Sequence, residues 1–136
     1  MLRAMVIERR NPDGLHPTAG YHHVNIAPSG RTAHLAGQCP VTVDGQVVDG
    51  DLDAQVDQVV ANSLVALHAA GATAADVVRA VVYVVSTDSH VLAGVWRRLG
   101  ASELAPAFTA ASTLLGVAAL GYPGQLLEID LTAALP

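Results

Sequence analysis

The sharpest periodic signal in the chain is the alternation of apolar and polar positions from Leu126 to Leu131, Leu-Leu-Glu-Ile-Asp-Leu. A period of two predicts a strand with Leu127, Ile129 and Leu131 on one face and Glu128 and Asp130 on the other. Ala111 to Val117 predicts a strand before it, and the intervening Gly121-Tyr122-Pro123-Gly124 predicts a tight turn that makes the two a hairpin. Val77 to Ser86 is β-branched and apolar at both parities, the pattern of a central strand covered on both sides. Leu52, Val56, Val59, Val60, Leu64 and Leu67 instead recur at helical spacing, with Gly50 or Asp51 as cap and Gly71 as stop. A second helix is expected from Thr87 or Asp88 to about Gly100, burying Val91, Leu92, Val95, Trp96 and Leu99. Between helix and central strand, Thr73-Ala74-Ala75-Asp76 has the form of a capping box.

The first third reads as an antiparallel meander. Its expected strands are Arg3 to Glu8, Tyr21 to Ile26 and Thr32 to Gln38, with Pro28-Ser29-Gly30 as the hairpin turn between the last two. Asn11-Pro12-Asp13-Gly14 breaks the first strand, and Val41 to Val48 forms a small hairpin around Asp44-Gly45. Ala101 to Ala110 is expected to be a loop through Pro106. With no repeat and no linker, residues 1–136 are read as one α+β domain, a mixed sheet with two helices on one face.

Composition changes this picture in three ways. Hydrophobic residues make up 51% of the chain and charged ones only 14%, so part of the apolar surface is expected at subunit interfaces, in a homo-oligomer. The net charge of −5, with no basic cluster beyond the Arg9-Arg10 and Arg97-Arg98 pairs, argues against nucleic acid as a partner. All seven basic residues are arginine, which removes lysine Schiff-base chemistry. The lone Cys39 has no disulfide partner, no apolar run reaches the length of a membrane span, and the first residues lack a signal-peptide core; a cytoplasmic location is expected.

Candidate chemistry centres on Glu128. A carboxylate in so apolar a strand is either a solvated or structural residue or an acid/base, because burying it unpaired costs several kcal/mol. Ser112 and Thr113 offer hydroxyls, although such groups commonly satisfy local backbone. A Ser-His-Asp arrangement lacks its GxSxG turn. Cys39 is read as a small buried hydrophobe in preference to a reactive thiol. His22 and His23 are adjacent and would face opposite ways on a strand, and no histidine has metal-ligand spacing, so no metal and no cofactor are expected. Trp96 is assigned to core packing.

Several segments together resemble the Rid family, also called YjgF/YER057c/UK114. They are Asn11-Pro12-Asp13-Gly14, Gly20-Tyr21-His22-His23, Ala36-Gly37-Gln38-Cys39-Pro40, Asp53-Ala54-Gln55, Ala69-Ala70-Gly71, Asp76-Val77-Val78, Gly116 to Leu120 and Leu127-Glu128-Ile129-Asp130. The resemblance implies a chorismate-mutase-like (YjgF/RidA-like) α+β fold and a homotrimer with small-molecule clefts between subunits. It implies a deaminase-type hydrolase of enamines and imines, in which Glu128 positions or activates water, Gly37 lines the cleft and Tyr21 stands at its mouth. His23 is expected to line the same cleft. Members that hydrolyse 2-imino acids carry an arginine where this chain has Ser112, and a small thiol or hydroxyl residue where it has Leu114. A serine offers one neutral donor in place of a bidentate guanidinium, a loss of about 2 to 5 kcal/mol of binding if nothing replaces it. Arg31, Arg79, or one of Arg97 and Arg98 from a neighbouring subunit, are the alternative anchors. The competing reading is a non-catalytic small-molecule or protein-binding trimer.

Overall fold

Strand β4 (Val77–Val85) is the element on which the others are laid; the structure, a computed structural model, describes residues 6–136. Its apolar positions are divided between two environments. Val77, Ala80, Val82 and Val84 are fully buried, whereas Val81, Tyr83 and Val85 on the other face are half-buried in the single chain, so the expected cover on both sides is present on one. The helices account for the buried face. Helix α1 (Leu52–Ala69) is capped by Asp51, whose Oδ1 accepts from Ala54 N at 3.0 Å, and α2 (Ser89–Gly100) by Asp88, which accepts from His90 N at 2.8 Å. They lay Val56, Val59, Val60 and Leu67, and Val95 and Leu99, on the same side of the sheet, each buried side chain contributing about 1.5 to 3 kcal/mol.

The four-stranded sheet has the order β3-β6-β4-β5, with β3 at Thr32–His34, β5 at Ala111–Val117 and β6 at Leu127–Ala134. β5 runs parallel to β4 and β6 antiparallel to it on the other side. The expected hairpin of β5 with β6 is therefore absent: β4 lies between them, and residues 118–126 cross it. Buried Gln55 of α1 fixes that crossing, donating to Gly124 O at 2.9 Å and accepting from Leu126 N at 2.8 Å. A Cβ on Gly116 would lie 2.3 Å from Ser86 O, so this position of β5 admits only glycine beside the end of β4.

The meander is also corrected. β1 (Glu8–Arg10) pairs with β2 (Val24–Ile26) in a separate ribbon, and β3 pairs with β6, so Pro28-Ser29-Gly30 joins two different sheets. Of the strand expected from Arg3, residues 3–5 lie outside the described residues. The ribbon is held to the start of β4 by Arg9, which donates to Ala75 O and Val77 O, and by Asn25, which donates to Val78 O. The small hairpin around Asp44-Gly45 is present, with Thr42 N on Gln46 O at 2.8 Å. The Thr73/Asp76 capping box is formed, and the expected loop before β5 contains a short 3-10 turn, Ala105–Thr109. Among the described residues no helix is long and apolar enough to cross a membrane.

Candidate functional site

The residues singled out from the sequence fall on two sides of the sheet. β6 alternates as its pattern requires, with Leu127, Ile129 and Leu131 buried under the helices and Glu128 and Asp130 on the opposite face. There the sequence Ala36-Gly37-Gln38 leaves the β3 ladder after Leu35 and rejoins β6 at Gln38, which exchanges two hydrogen bonds with Ile129 at 2.8 and 3.1 Å. This detour lays Gly37 directly on Glu128. A Cβ there would meet Glu128 Oε2 at 2.3 Å and Asp130 Oδ1 at 2.9 Å.

The two oxygens of Glu128 are differently placed. Oε1 accepts from Cys39 Sγ at 3.1 Å and from Gln125 Nε2 at 3.2 Å, and Gln125 is itself buried and anchored on Leu127 O at 3.0 Å. Oε2 has no hydrogen-bond partner among the described residues and faces the notch left by Gly37. Two donors on one oxygen fix the carboxylate and leave the other available. Cys39 is thus a half-buried thiol hydrogen-bonded to a carboxylate, not the fully buried hydrophobe expected. Burial, followed by the neighbouring Glu128, pushes its thiol up to about 11, so it is a protonated donor at neutral pH. Asp130 accepts from Tyr83 OH at 3.2 Å; burial and then the Asp130 charge raise that phenol. Gln125 and Tyr83 had no motif to betray them; Gln125 was one of several polar residues beside a turn.

Ser112 lies on the other face. Its register partner is Ala80, which is buried under the helices, whereas Thr113 pairs with Val81 and projects to the Glu128 side, where Arg79 donates to its Oγ1 at 2.6 Å. With Leu114, Ser112 forms the floor of a cavity of about 480 Å³ whose walls are Ala19, Tyr21, Ala93, Trp96 and Arg97. Trp96 is therefore more than core packing. Its Nε1 donates to Ala19 O at 3.0 Å, and its ring meets Tyr21 edge-on at 6.2 Å and Phe108 at 5.6 Å. These are favourable T-shaped contacts that hold the wall in place. His22 pins the Tyr21 segment through Nδ1 to Thr109 O, while His23 stands behind Tyr21, edge-on at 5.9 Å, with Nε2 on His16 O, and does not line the cavity.

Within one chain, then, Tyr21 and Ser112 are brought together, Gly37 and Glu128 are brought together, and the sheet separates the pairs. Among the described residues no group of three or more His, Cys, Asp or Glu is arranged to hold a metal ion.

Residues 12–135 match the family model described as endoribonuclease L-PSP. Among solved structures, the chain is similar to the Rid-family protein YyfB from Yersinia pestis at 42% identity, over 95% of this chain and 98% of that one, with a TM-score of 0.86. It is similar to the Rid-family protein YyfA, also from Yersinia pestis, at 26% identity, over 88% and 90% of the two chains, with a TM-score of 0.66. Rv2704 of Mycobacterium tuberculosis, a member of the YjgF/YER057c/UK114 family, is 27% identical over 96% of this chain and 100% of that one, with a TM-score of 0.58. No curated protein matches the chain.

Proposed function

The chain belongs to the endoribonuclease L-PSP (Rid) family, and from that premise we propose that it is a single-domain imine or enamine hydrolase working in a cleft between copies of itself. The observation that carries this reading is the state of Glu128: one oxygen held by two donors, the other above Gly37 with no partner among the described residues. In the reaction, Oε2 accepts a proton from water as the water oxygen bonds to the imine carbon. That proton passes to the nitrogen to give the carbinolamine; its hydroxyl proton then passes through Glu128 to the same nitrogen as the C=O bond forms and the C–N bond breaks, and a carbonyl compound and ammonia leave. A homotrimer is the assembly this reading calls for, since the Tyr21 and Ser112 side of one copy must face the Glu128 and Gly37 side of another for both to touch one substrate. The half-buried Val81 and Val85 on the Glu128 face supply apolar surface for such a contact. Single-stranded or duplex RNA, which the family description brings to mind, finds only an acidic chain of net charge −5 here.

Substrate anchoring differs from that of the arginine-bearing members. Ser112 Oγ already donates its only hydrogen to Ala110 O at 2.8 Å, so it has lone pairs but no donor to offer a carboxylate. The test follows hydrolysis of 2-iminobutanoate, generated by a dehydratase, in wild type, Ser112→Arg and Ser112→Arg/Glu128→Ala. Ser112→Arg is expected to exceed wild type by about tenfold or more, the worth of a charge-assisted bidentate contact. The double variant should lose that gain. Equal rates with and without Glu128 would overturn the reading. Failure of every form on every imine would leave the second reading, a binding trimer, which the apolar walls of the Ser112 cavity favour.

A further inference from the structure

We propose that Arg97 is the anion anchor of the Ser112 cavity, and that the ligand there is a carboxylate carrying an aromatic or extended apolar body. The inference rests on the family reading only in taking this cavity as the substrate side of the cleft.

Arg97 is singled out by where the other cations are. Arg9 is spent on the carbonyls of Ala75 and Val77, Arg10 on Glu8, Arg79 on Thr113 across the sheet, and Arg98 on Asp57 through two parallel bonds of 2.9 and 2.8 Å. Arg31 precedes β3, at the sheet edge opposite β5. Arg97 alone among the described arginines lines the cavity, and it forms no ion pair or side-chain hydrogen bond with any described residue. Its guanidinium folds back along α2 to within 3.8 Å of where a Gly94 Cβ would stand, one turn earlier and beside Ala93 of the cavity wall. The small residues at 93 and 94 leave it that room. A cation at the rim above a donor-less serine is the arrangement expected where the gripping charge has moved from strand to helix.

The size and lining of the cavity decide what the anion is attached to. About 480 Å³ lies in the range of pockets that hold drug-sized ligands, far beyond a three- or four-carbon acid. Of the five Phe, Tyr and Trp residues in the chain (one, three and one), Tyr21 and Trp96 line the cavity and buried Phe108 backs Trp96. With Leu114, Ala19 and Ala93, Tyr21 and Trp96 present apolar surface beside the single charge of Arg97. An arylalkyl carboxylate satisfies both: its ring lies against the wall that Tyr21 and Trp96 form together, and its carboxylate takes the guanidinium fork. Ser112 Oγ remains as an acceptor for an N–H of such a ligand.

Trp96 is the only tryptophan in the chain, so its fluorescence reports occupancy without any turnover. The probes are 3-phenylpropanoate and its uncharged analogue 3-phenylpropanamide, titrated into wild type, Arg97→Ala and Arg97→Lys. The acid is expected to give a saturable Trp96 response at concentrations about tenfold or more below the amide, a difference erased in Arg97→Ala and partly restored in Arg97→Lys. Equal affinity for acid and amide, an unaltered acid affinity in Arg97→Ala, or no response to either probe would each overturn the proposal. Because the probe is not hydrolysed, loss of hydrolysis in Glu128→Ala with probe binding retained separates the two readings. Circular dichroism of Arg97→Ala, an exposed position, checks that the fold is retained.

Discussion

On the helix side of the sheet, the neighbourhood of Ser112 is apolar and aromatic, with one guanidinium at its rim that no described residue pairs; on the opposite side, around Glu128, nearly every polar atom is engaged by another. The first arrangement offers apolar surface and a charge, with the Tyr21 phenol beside them. The second offers a carboxylate fixed through one oxygen by two donors. The contrast teaches that Ser112 and Glu128 face opposite sides of one sheet from β5 and β6, the two strands that flank β4. A one-residue slip of either strand would turn its residue to the other face.

The strongest way to break the comparison is Gly37→Ala, which acts on the Glu128 side alone. The added carbon would stand 2.3 Å from Oε2 and must drive the carboxylate off its two donors. Hydrolysis of the imine made from phenylalanine by an amino-acid oxidase should fall by about a hundredfold, the lower end of what a positioned acid/base contributes. The Trp96 response to 3-phenylpropanoate should persist. Loss of both together would mean that the two sides are not separable.

Gly116→Ala tests whether β5 depends on its close approach to β4. Backbone oxygen of Ser86 would lie 2.3 Å from the new carbon, and backbone yields less than a side chain. A loss of about 1 to 3 kcal/mol in urea unfolding is expected, and an unchanged midpoint would show that the strand ends shift freely.

The smallest effect concerns Cys39. Its thiol is raised from 9.0 to about 11 in the fold, so the contribution of its proton to stability is complete below about pH 9 and is lost as pH rises through about 11. Alkylation by iodoacetamide should therefore stay slow at pH 9, where an ordinary exposed thiol reacts readily, and Glu128→Gln should speed it by removing the neighbouring charge. Fast alkylation of wild type at pH 8 would place the thiol away from the carboxylate.

Local signals in the sequence carried the elements well. Asp51, Asp88 and the Thr73/Asp76 box cap where capping chemistry put them, Gly71 ends α1 at φ 82°, and β6 turns Glu128 and Asp130 to one face. Pairing was less legible, because a turn sequence states that the chain bends and not which strand it returns to. Pro28-Ser29-Gly30 and Gly121-Tyr122-Pro123-Gly124 both suggested hairpins, yet β3 answers to β6 and β5 to β4. The length of 118–126 was the available clue: it exceeds the usual hairpin loop and can cross one strand, about 10 Å from neighbour to neighbour. Arg97 was weighed only as a neighbouring subunit's contribution, since sequence does not say that α2 leans its Trp96 flank over β5. Gln55 was counted among the polar positions of α1, but it is buried to hold the crossing loop.

The placement of β6 has a consequence for how the chain comes to be folded during synthesis. Thr32 pairs with Ala134, and Val82 with Ile129, so β3 has no partner and β4 only one until the ribosome has passed Ala134. Contacts so distant along the chain make closure of the sheet a late event, slowed by the entropy of bringing the strands together. Until then the edge of β4 that meets β6 stays unpaired, the kind of open strand edge at which a chain can associate wrongly.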